Sequence, residues 1–293
     1  MSRFGLIGFP IAHSLSPLLF KAAYGGRFSY DLIENDDFGT AFRQFLKSYD
    51  AINVTAPFKE EAFDKARFRS PESELIGAAN ILVKTPRGLS CFNSDCTAVK
   101  KMLEDFNNEA PEKRKISSVL VVGCGGAGKA AAVAAFSLGL DVTLMNRSIV
   151  RALNFAQHLT AKTAYAPKGA LQNCRPGTVS TLPIDRFASA FHRHDSVIYT
   201  LPAALDAPPF SSDGVTKQPT DSRLKLVIEA NYRNPAFSKE VLAALPESTE
   251  YVPGEQWLLQ QALSGYGLMT GIGPNRQALE SALRRGTVIE NIH

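Results

Sequence analysis

Cysteine is scarce, with four in 293 residues. That is too few for a disulfide-stapled secreted scaffold. Neither sign of charge dominates, and the formal net charge is +4. So mild a balance argues against nucleic acid, which calls for a basic stripe, but leaves room for a local positive patch holding an anionic ligand. Long apolar runs are missing too. The longest candidate, Ser118 to Leu140, has Lys129 in its middle and glycines through its first half, so a strand, a glycine loop and a helix fit it better than a membrane span. The N-terminal run Phe4–Gly8 is too short for a leader and is followed by Pro10. We therefore expect a soluble, cytoplasmic protein with no membrane partner.

What is present is ordinary globular material: 45% hydrophobic and 20% charged residues, enough for a sizeable core and against disorder as the main state. At roughly 150 residues per domain the length favours two domains. Strand and helix signals alternate through the first third. Phe4–Gly8, Tyr30–Ile33 and Ala51–Val54 read as strands, and Ala79–Val83 and Leu89–Phe92 as a pair turned by Pro86-Arg87-Gly88. Ser16 and Pro17 open a helix as N-cap and first helical residue, and Phe38, Phe42 and Phe45 share one face of another. The polar stretch Asn107–Lys115 reads as a linker. Val119–Val122 reads as a strand buried on both faces, followed by a doubly wound pattern. We expect an N-terminal α/β domain over 1–106, completed by C-terminal helices in 255–293, and a Rossmann-like parallel-sheet domain over 115–254. The active site is expected in the cleft between them. Pro202–Thr220 is loop-like and unassigned, and no internal repeat is evident.

Gly123, Gly125 and Gly128 satisfy G-x-G-x-x-G directly after the Val119–Val122 strand and at the start of a helix. The first glycine permits the turn, the second the approach of a pyrophosphate to the backbone, and the third close helix–strand packing. Gly123 to Lys129 also fits the start of an NTPase phosphate loop, but Ala130 stands where the Mg²⁺-binding hydroxyl belongs. The following strand ends in Asn146-Arg147-Ser148, with no carboxylate for the ribose of NAD. Asn146 can bond a ribose oxygen and Arg147 can fork onto a 2′-phosphate, so NADP is preferred.

The N-terminal domain holds a second constellation. Ser14 and Ser16, two apart at a helix start, suit a carboxylate or merely cap the helix. Asn53-Val-Thr55-Ala-Pro57-Phe-Lys59 places polar groups at a strand's carboxyl end, where α/β sheets bind ligands. Gly77-Ala-Ala-Asn80 and Asn93-Ser-Asp95 complete the set.

Together these segments resemble the shikimate dehydrogenase family over nearly the whole chain. Gly8–Pro17 is similar to its G-x-P-I-x-H-S-x-S-P, Asn53–Lys59 to its N-V-T-x-P-x-K, Gly77–Asn80 to its G-A-x-N and Asn93–Asp95 to its N-T-D. Gly123–Ala130 and Asn146–Ser148 match its glycine loop and N-R-[TS], and Gly254–Gln261 its G-x-x-M-L-x-x-Q. The resemblance implies NADPH-dependent reduction of 3-dehydroshikimate to shikimate. It implies Lys59 and Asp95 as the catalytic pair, Ser14 and Ser16 on the substrate carboxylate, and Thr55, Asn80, Asp95 and Gln261 on the ring hydroxyls, with Tyr232 close to substrate and nicotinamide. It places NADP(H) on Gly123, Gly125, Gly126, Ala127, Gly128, Asn146, Arg147, Ser148 and Gly254, and needs no metal.

The chain departs from the family pattern at Cys96 and Ala98, at Tyr199-Thr-Leu-Pro202 beside the cofactor, at Trp257, and by one extra residue between Tyr232 and Pro235. Cys91 and Cys96 lack the second pair or nearby His of a zinc site. All four cysteines read as apolar fillers, with Cys124 accessible to oxidation. His13 reads as a structural hydrogen-bonder and Met269 as core. Alternatives are a quinate/shikimate or related hydroxy-acid dehydrogenase, a nucleotide-sensing domain without turnover, and an ATP-binding protein. The oligomeric state, monomer or homodimer, is not legible.

Overall fold

The computed structural model of the chain describes residues 2–164, 177–205 and 222–290. Cys174 and most of Pro202–Thr220 lie outside the described residues. The chain divides into two compact units, Met1–Ala98 with Leu259–His293, and Val99–Leu258.

In the first unit β1 (Arg3–Gly8) pairs in parallel with β2 (Ser29–Glu34) across α1 (Ser16–Ala23). α2 (Phe38–Ser48) starts where Asp37 accepts a hydrogen bond from the Thr40 amide, and buries Phe38, Ala41 and Phe45. It leads into β3 (Ala51–Val54), parallel to β1. Three short elements follow that the sequence pattern did not reveal: α3 (Lys59–Lys65), β4 (Phe68–Arg69) and α4 (Pro71–Ile76). Each is too short for a period to show. Gly77 ends α4 at φ 68°, the left-handed conformation that glycine adopts without a Cβ penalty. β5 (Ile81–Thr85) and β6 (Gly88–Phe92) form the expected antiparallel pair, and the Thr85 hydroxyl donates to the Gly88 carbonyl across the turn. The sheet order is β2-β1-β3-β5-β6-β4.

α5 (Ser94–Glu109) carries the chain into the second unit, so the division falls inside this helix rather than at the polar 107–115 segment. That segment is tied down because Asn107 closes on Ile116 from both sides of its amide. β7 (Ser118–Val122), α6 (Gly126–Ser137), β8 (Asp141–Asn146), α7 (Ile149–Ala164), β9 (Val179–Pro183), α8 (Phe187–Phe191), β10 (Ser196–Tyr199), β11 (Leu226–Glu229), α9 (Lys239–Ala243) and β12 (Glu250–Val252) follow. The sheet is all parallel in the order β12-β11-β10-β7-β8-β9. This is the doubly wound Rossmann order, with its switch point between β7 and β10. β10 and β11 are buried at every residue, as strands covered on both faces must be.

At the amino ends of β7 and β10, buried Asp195 accepts hydrogen bonds from the amides and hydroxyls of Ser117 and Ser118 and pairs with Lys225 at 3.1 Å. α10 (Gly254–Thr270) returns the chain to the first unit, where α11 (Arg276–Glu290) packs on α1. Gly286 permits that approach, since a Cβ there would stand 3.1 Å from Leu15.

Candidate functional site

The first unit gathers its polar residues around the carboxyl ends of β1 and β3. Lys59 opens α3 just past β3, and Asp95 lies in the first turn of α5. The Lys59 ammonium is 2.6 Å from the Asp95 carboxylate, with side chains only 17% and 5% exposed. The local folding that holds this pair is backbone-built. The Ala79 amide donates to the Lys59 carbonyl, and buried Asn93 donates to Ala78 and accepts from the Cys96 amide, capping α5. Asn80 is buried and largely engaged: its oxygen accepts from the Ser94 amide at 2.8 Å and its nitrogen donates to the Ser94 hydroxyl at 3.0 Å.

Ser14 and Ser16 stand together, the Ser14 hydroxyl donating to the Ser16 oxygen at 3.1 Å. The expectation that Ser16 caps α1 is corrected. Leu15 occupies the cap position with no side-chain hydrogen bond, and Ser16 is the first helical residue. Its amide is instead received by Ser14 Oγ at 3.2 Å, because a hydroxyl two residues ahead reaches the first free amide of the helix. Thr55 reaches this region by close packing, since a Cβ on Gly8 would stand 2.4 Å from the Thr55 methyl carbon. Gln261 is half-buried on α10. One turn along that helix, Gly265 passes so close to Ser94 that a Cβ would sit 3.2 Å from its oxygen, and Tyr266 donates to the Ser16 carbonyl.

Unit one thus pairs Ser14 with Ser16 and Lys59 with Asp95, and ties Asn80 to Ser94 beside Asp95; Thr55 and Gln261 belong to the same unit. Tyr232 belongs to the other unit, beside Gly254, whose absent side chain lets the start of α10 press on Asn231 and Tyr232; a Cβ would stand 2.4–2.5 Å from their backbone.

In the second unit the glycine loop sits at the switch point. Gly123 adopts φ 108°, and its amide donates to the Met145 carbonyl. A Cβ on Gly128 would lie 2.0 Å from the Gly123 carbonyl oxygen, so the helix can pack here only with glycine. A Cβ on Gly125, by contrast, would meet nothing within 4 Å. That open cradle lies at the amino end of α6, a helix of 12 residues from Gly126 through Ala127 and Gly128, with no acidic residue in its first turn. Free amides, positive helix polarity and open space are what a dinucleotide pyrophosphate requires.

Asn146 spends its amide structurally, accepting from the Cys124 amide at 3.3 Å and donating to the Ser148 carbonyl at 3.1 Å. Ser148 caps α7 through the Arg151 amide. Arg147 is exposed and makes no hydrogen bond or ion pair among the described residues.

Two of the departures in this unit have physical explanations. Tyr199 is buried and turns into the core, 5.6 Å from Phe237 ring to ring, while its neighbour Thr200 faces the glycine loop and donates to the Val122 carbonyl at 2.9 Å. The longer 229–236 segment is closed by fully buried Glu229, which accepts from the Ala236 amide and from the Tyr251 hydroxyl. Burial and that carboxylate hold the Tyr251 phenol well above its ordinary range.

Other expectations change. Cys124 is buried with its thiol against the Arg151 carbonyl, not accessible, because the residue after Gly123 turns under the loop. His13 is exposed and hydrogen-bonds no described residue. Cys91, Cys96 and Met269 are buried fillers. Among the described residues no group of three or more His, Cys, Asp or Glu is arranged around a metal, and no helix is long and apolar enough to cross a membrane. Sequence reading missed Tyr30, Ser94, Thr200 and Tyr266, whose partners lie far off in sequence.

Residues 6–82 match the shikimate dehydrogenase substrate binding domain. The chain is 26% identical over 299 residues to the shikimate dehydrogenase (NADP(+)) of Leptospira interrogans, covering 99% of this chain and 97% of that protein. It is 28% identical to the one of Halothermothrix orenii, covering 92% and 91%. The shikimate 5-dehydrogenase of Thermus thermophilus, solved with NADP(H) and shikimate, superposes with a TM-score of 0.74 at 25% identity, covering 98% of this chain and all of that one. A quinate dehydrogenase of Corynebacterium glutamicum, at 21% identity and a TM-score of 0.78, shares the fold. Residues 6–82 thus carry the family's substrate-binding domain, and proteins named shikimate dehydrogenase align with the chain along nearly its whole length.

Proposed function

We propose that this chain is an NADP-dependent oxidoreductase that reduces 3-dehydroshikimate to shikimate. The carrying observation is the Lys59–Asp95 pair, 2.6 Å apart and largely withdrawn from water, in the unit matched by the family's substrate-binding domain. On this reading the first unit binds substrate and the second binds the dinucleotide. The buried thiols of Cys91, Cys96 and Cys124 suit a reducing compartment, in keeping with a cytoplasmic location.

Ser14 and Ser16 hold the substrate carboxylate through their hydroxyls. Thr55, Asn80, Asp95 and Gln261 bond the ring oxygens and orient the ketone. When bound, the reduced nicotinamide supplies the hydride. Negative charge then develops on the ketone oxygen, and Lys59 stabilises it and donates a proton from Nζ. Asp95 keeps the ammonium aimed, which matters because a cation at this depth is costly without a partner. In the oxidation direction Lys59 receives the proton.

The open position at Gly125 and the amides at the start of α6 would hold the pyrophosphate. Gly123, Gly126, Ala127 and Gly128 shape that turn, Asn146 and Ser148 fix its neighbour loop, and Gly254 sets the approach of α10. Arg147 would face the 2′-phosphate.

The test is the purified chain with NADP⁺ and shikimate, followed at the NADPH absorbance band, with quinate in a parallel cuvette. Shikimate-dependent NADPH formation at a higher kcat/KM than with quinate is expected. No turnover of shikimate, or a preference for quinate, would overturn the assignment.

A further inference from the structure

We propose that Asn231 is a positioning residue for the nicotinamide half of the dinucleotide site, joining the wall of the glycine loop to the start of α10. The inference rests on the proposed reading of that loop as the NADP(H) site.

Two segments of the second unit depart from the family pattern, Tyr199–Pro202 at the end of β10 and the longer stretch that follows β11. They meet at Asn231. Its Nδ2 donates to the Leu201 carbonyl at 2.7 Å and lies 3.5 Å from Glu229 Oε1. A carbonyl and a carboxylate only accept, so the nitrogen of the Asn231 amide, not its oxygen, must face them. Glu229 is itself fixed, being fully buried and accepting from the Ala236 amide and the Tyr251 hydroxyl. The backbone of Asn231 is held from the other side. A Cβ on Gly254 would stand 2.4 Å from the Asn231 carbonyl carbon, so α10 begins directly against this residue.

Leu201 makes the contact matter to a ligand. With Thr200 it forms the wall of the glycine turn: a Cβ on Gly123 would stand 2.3 Å from Thr200 Oγ1 and 3.2 Å from Leu201 Cδ2. Thr200 is anchored on β7, its amide and its hydroxyl both donating to the Val122 carbonyl at 2.9 Å. One residue past that anchor, the chain leaves the strand and Asn231 holds the Leu201 carbonyl. The sheet order says which half of the ligand lies here. β8, which ends in Asn146 and Arg147, flanks β7 on the side of the adenosine ribose. β10 and β11 flank it on the other side, so the nicotinamide half of a dinucleotide laid across the switch point falls by Leu201 and Asn231. A leucine at 231 has nearly the same size and cannot hold the Leu201 carbonyl.

The experiment is Asn231→Leu in the full chain, with calorimetric Kd for NADP⁺ and for adenosine 2′,5′-bisphosphate, which carries the adenosine half alone. Loss of one ordinary hydrogen bond predicts a rise of about threefold to tenfold in NADP⁺ Kd, with KM for NADP⁺ rising alike. The Kd of the bisphosphate should stay within about twofold of wild type, a split that general loosening of the unit would not produce. Leu201→Ala should cost less in the Asn231→Leu background than alone, because the two residues act on one wall. Should Asn231→Leu fail to fold, Asn231→Ala removes the same amide without adding bulk and is read in the same way. An unchanged NADP⁺ Kd, or equal weakening of both ligands, overturns this inference alone. Failure of both variants to fold also overturns it, since Asn231 is then a structural residue only. No NADP⁺ binding by the wild type overturns the cofactor reading and this inference with it.

Discussion

The Lys59 ammonium and the Asp95 carboxylate are separated by 36 residues in sequence and by 2.6 Å in space. The pair is assembled by the carboxyl end of β3 and the first turn of α5, both fixed through backbone bonds around Ala78 and Ala79. Removing Lys59 takes the cation away from a buried carboxylate, at a cost of about 3–5 kcal/mol.

Lys59→Ala should therefore lower kcat by about 10²–10⁴, as for loss of a general acid–base group, while NADP⁺ affinity stays nearly intact. Asp95→Asn should also lose rate, and the double variant should fall far short of additivity because the groups act as a unit. Steady-state kinetics on the three variants decide this. A Lys59→Ala kcat within a few-fold of wild type would remove the lysine from the chemistry.

Two glycines of one motif should fail differently. Gly125→Ala places a methyl in open space, so the protein should fold with near wild-type Tm and lose NADP⁺ affinity by an order of magnitude or more. Gly128→Ala drives a methyl into the Gly123 carbonyl, so stability itself should drop by about 1–3 kcal/mol. Thermal melts with and without NADP⁺ separate the two. Equal loss of Tm in both variants would show that Gly125 is structural as well.

Arg147 is exposed at the end of β8, as a 2′-phosphate partner must be before its ligand arrives. We expect kcat/KM to favour NADP⁺ over NAD⁺ by at least about tenfold, since a charged hydrogen bond is worth roughly 1.5–3 kcal/mol. Arg147→Leu should bring the ratio most of the way to parity, and rising salt should shrink it in the wild type. An unchanged preference in the variant would sink this role.

Asp195 offers a pH prediction. Burial alone would raise its carboxyl, but the hydrogen bonds from Ser117 and the Lys225 cation outweigh this and hold it at about 2. The folded value is thus below the unfolded value of about 3.9. Its stabilisation is complete above that unfolded value and is lost as pH falls through the window from about 4 to about 2. Asp195→Asn should cost on the order of 2 kcal/mol at pH 7 and progressively less toward pH 2. Denaturant melts across that range test it, and a constant difference would refute it.

Much of this protein was legible in one dimension because its signals are local. A β-branched run, three glycines at fixed offsets and a helix start lie within a dozen residues, and each imposes its geometry on its neighbours. Phe38, Phe42 and Phe45 mark a helix face by period alone. The substrate-side residues were legible only as a set of short motifs whose order and spacing resemble a family; no rule of spacing says that Lys59 meets Asp95.

Tertiary structure decided the rest, wherever a residue's partner is distant in sequence. Ser16 is a helical residue whose carbonyl accepts from Tyr266 of α10, not a cap. Asn146 and Asn80 spend their amides on neighbouring loops before any ligand is considered. Tyr199 faces the core while Thr200 faces the glycine loop, because successive residues of a strand point to opposite sides. Side-chain type is written in sequence; which hydroxyl has its proton already committed depends on contacts that only folding brings within 3 Å.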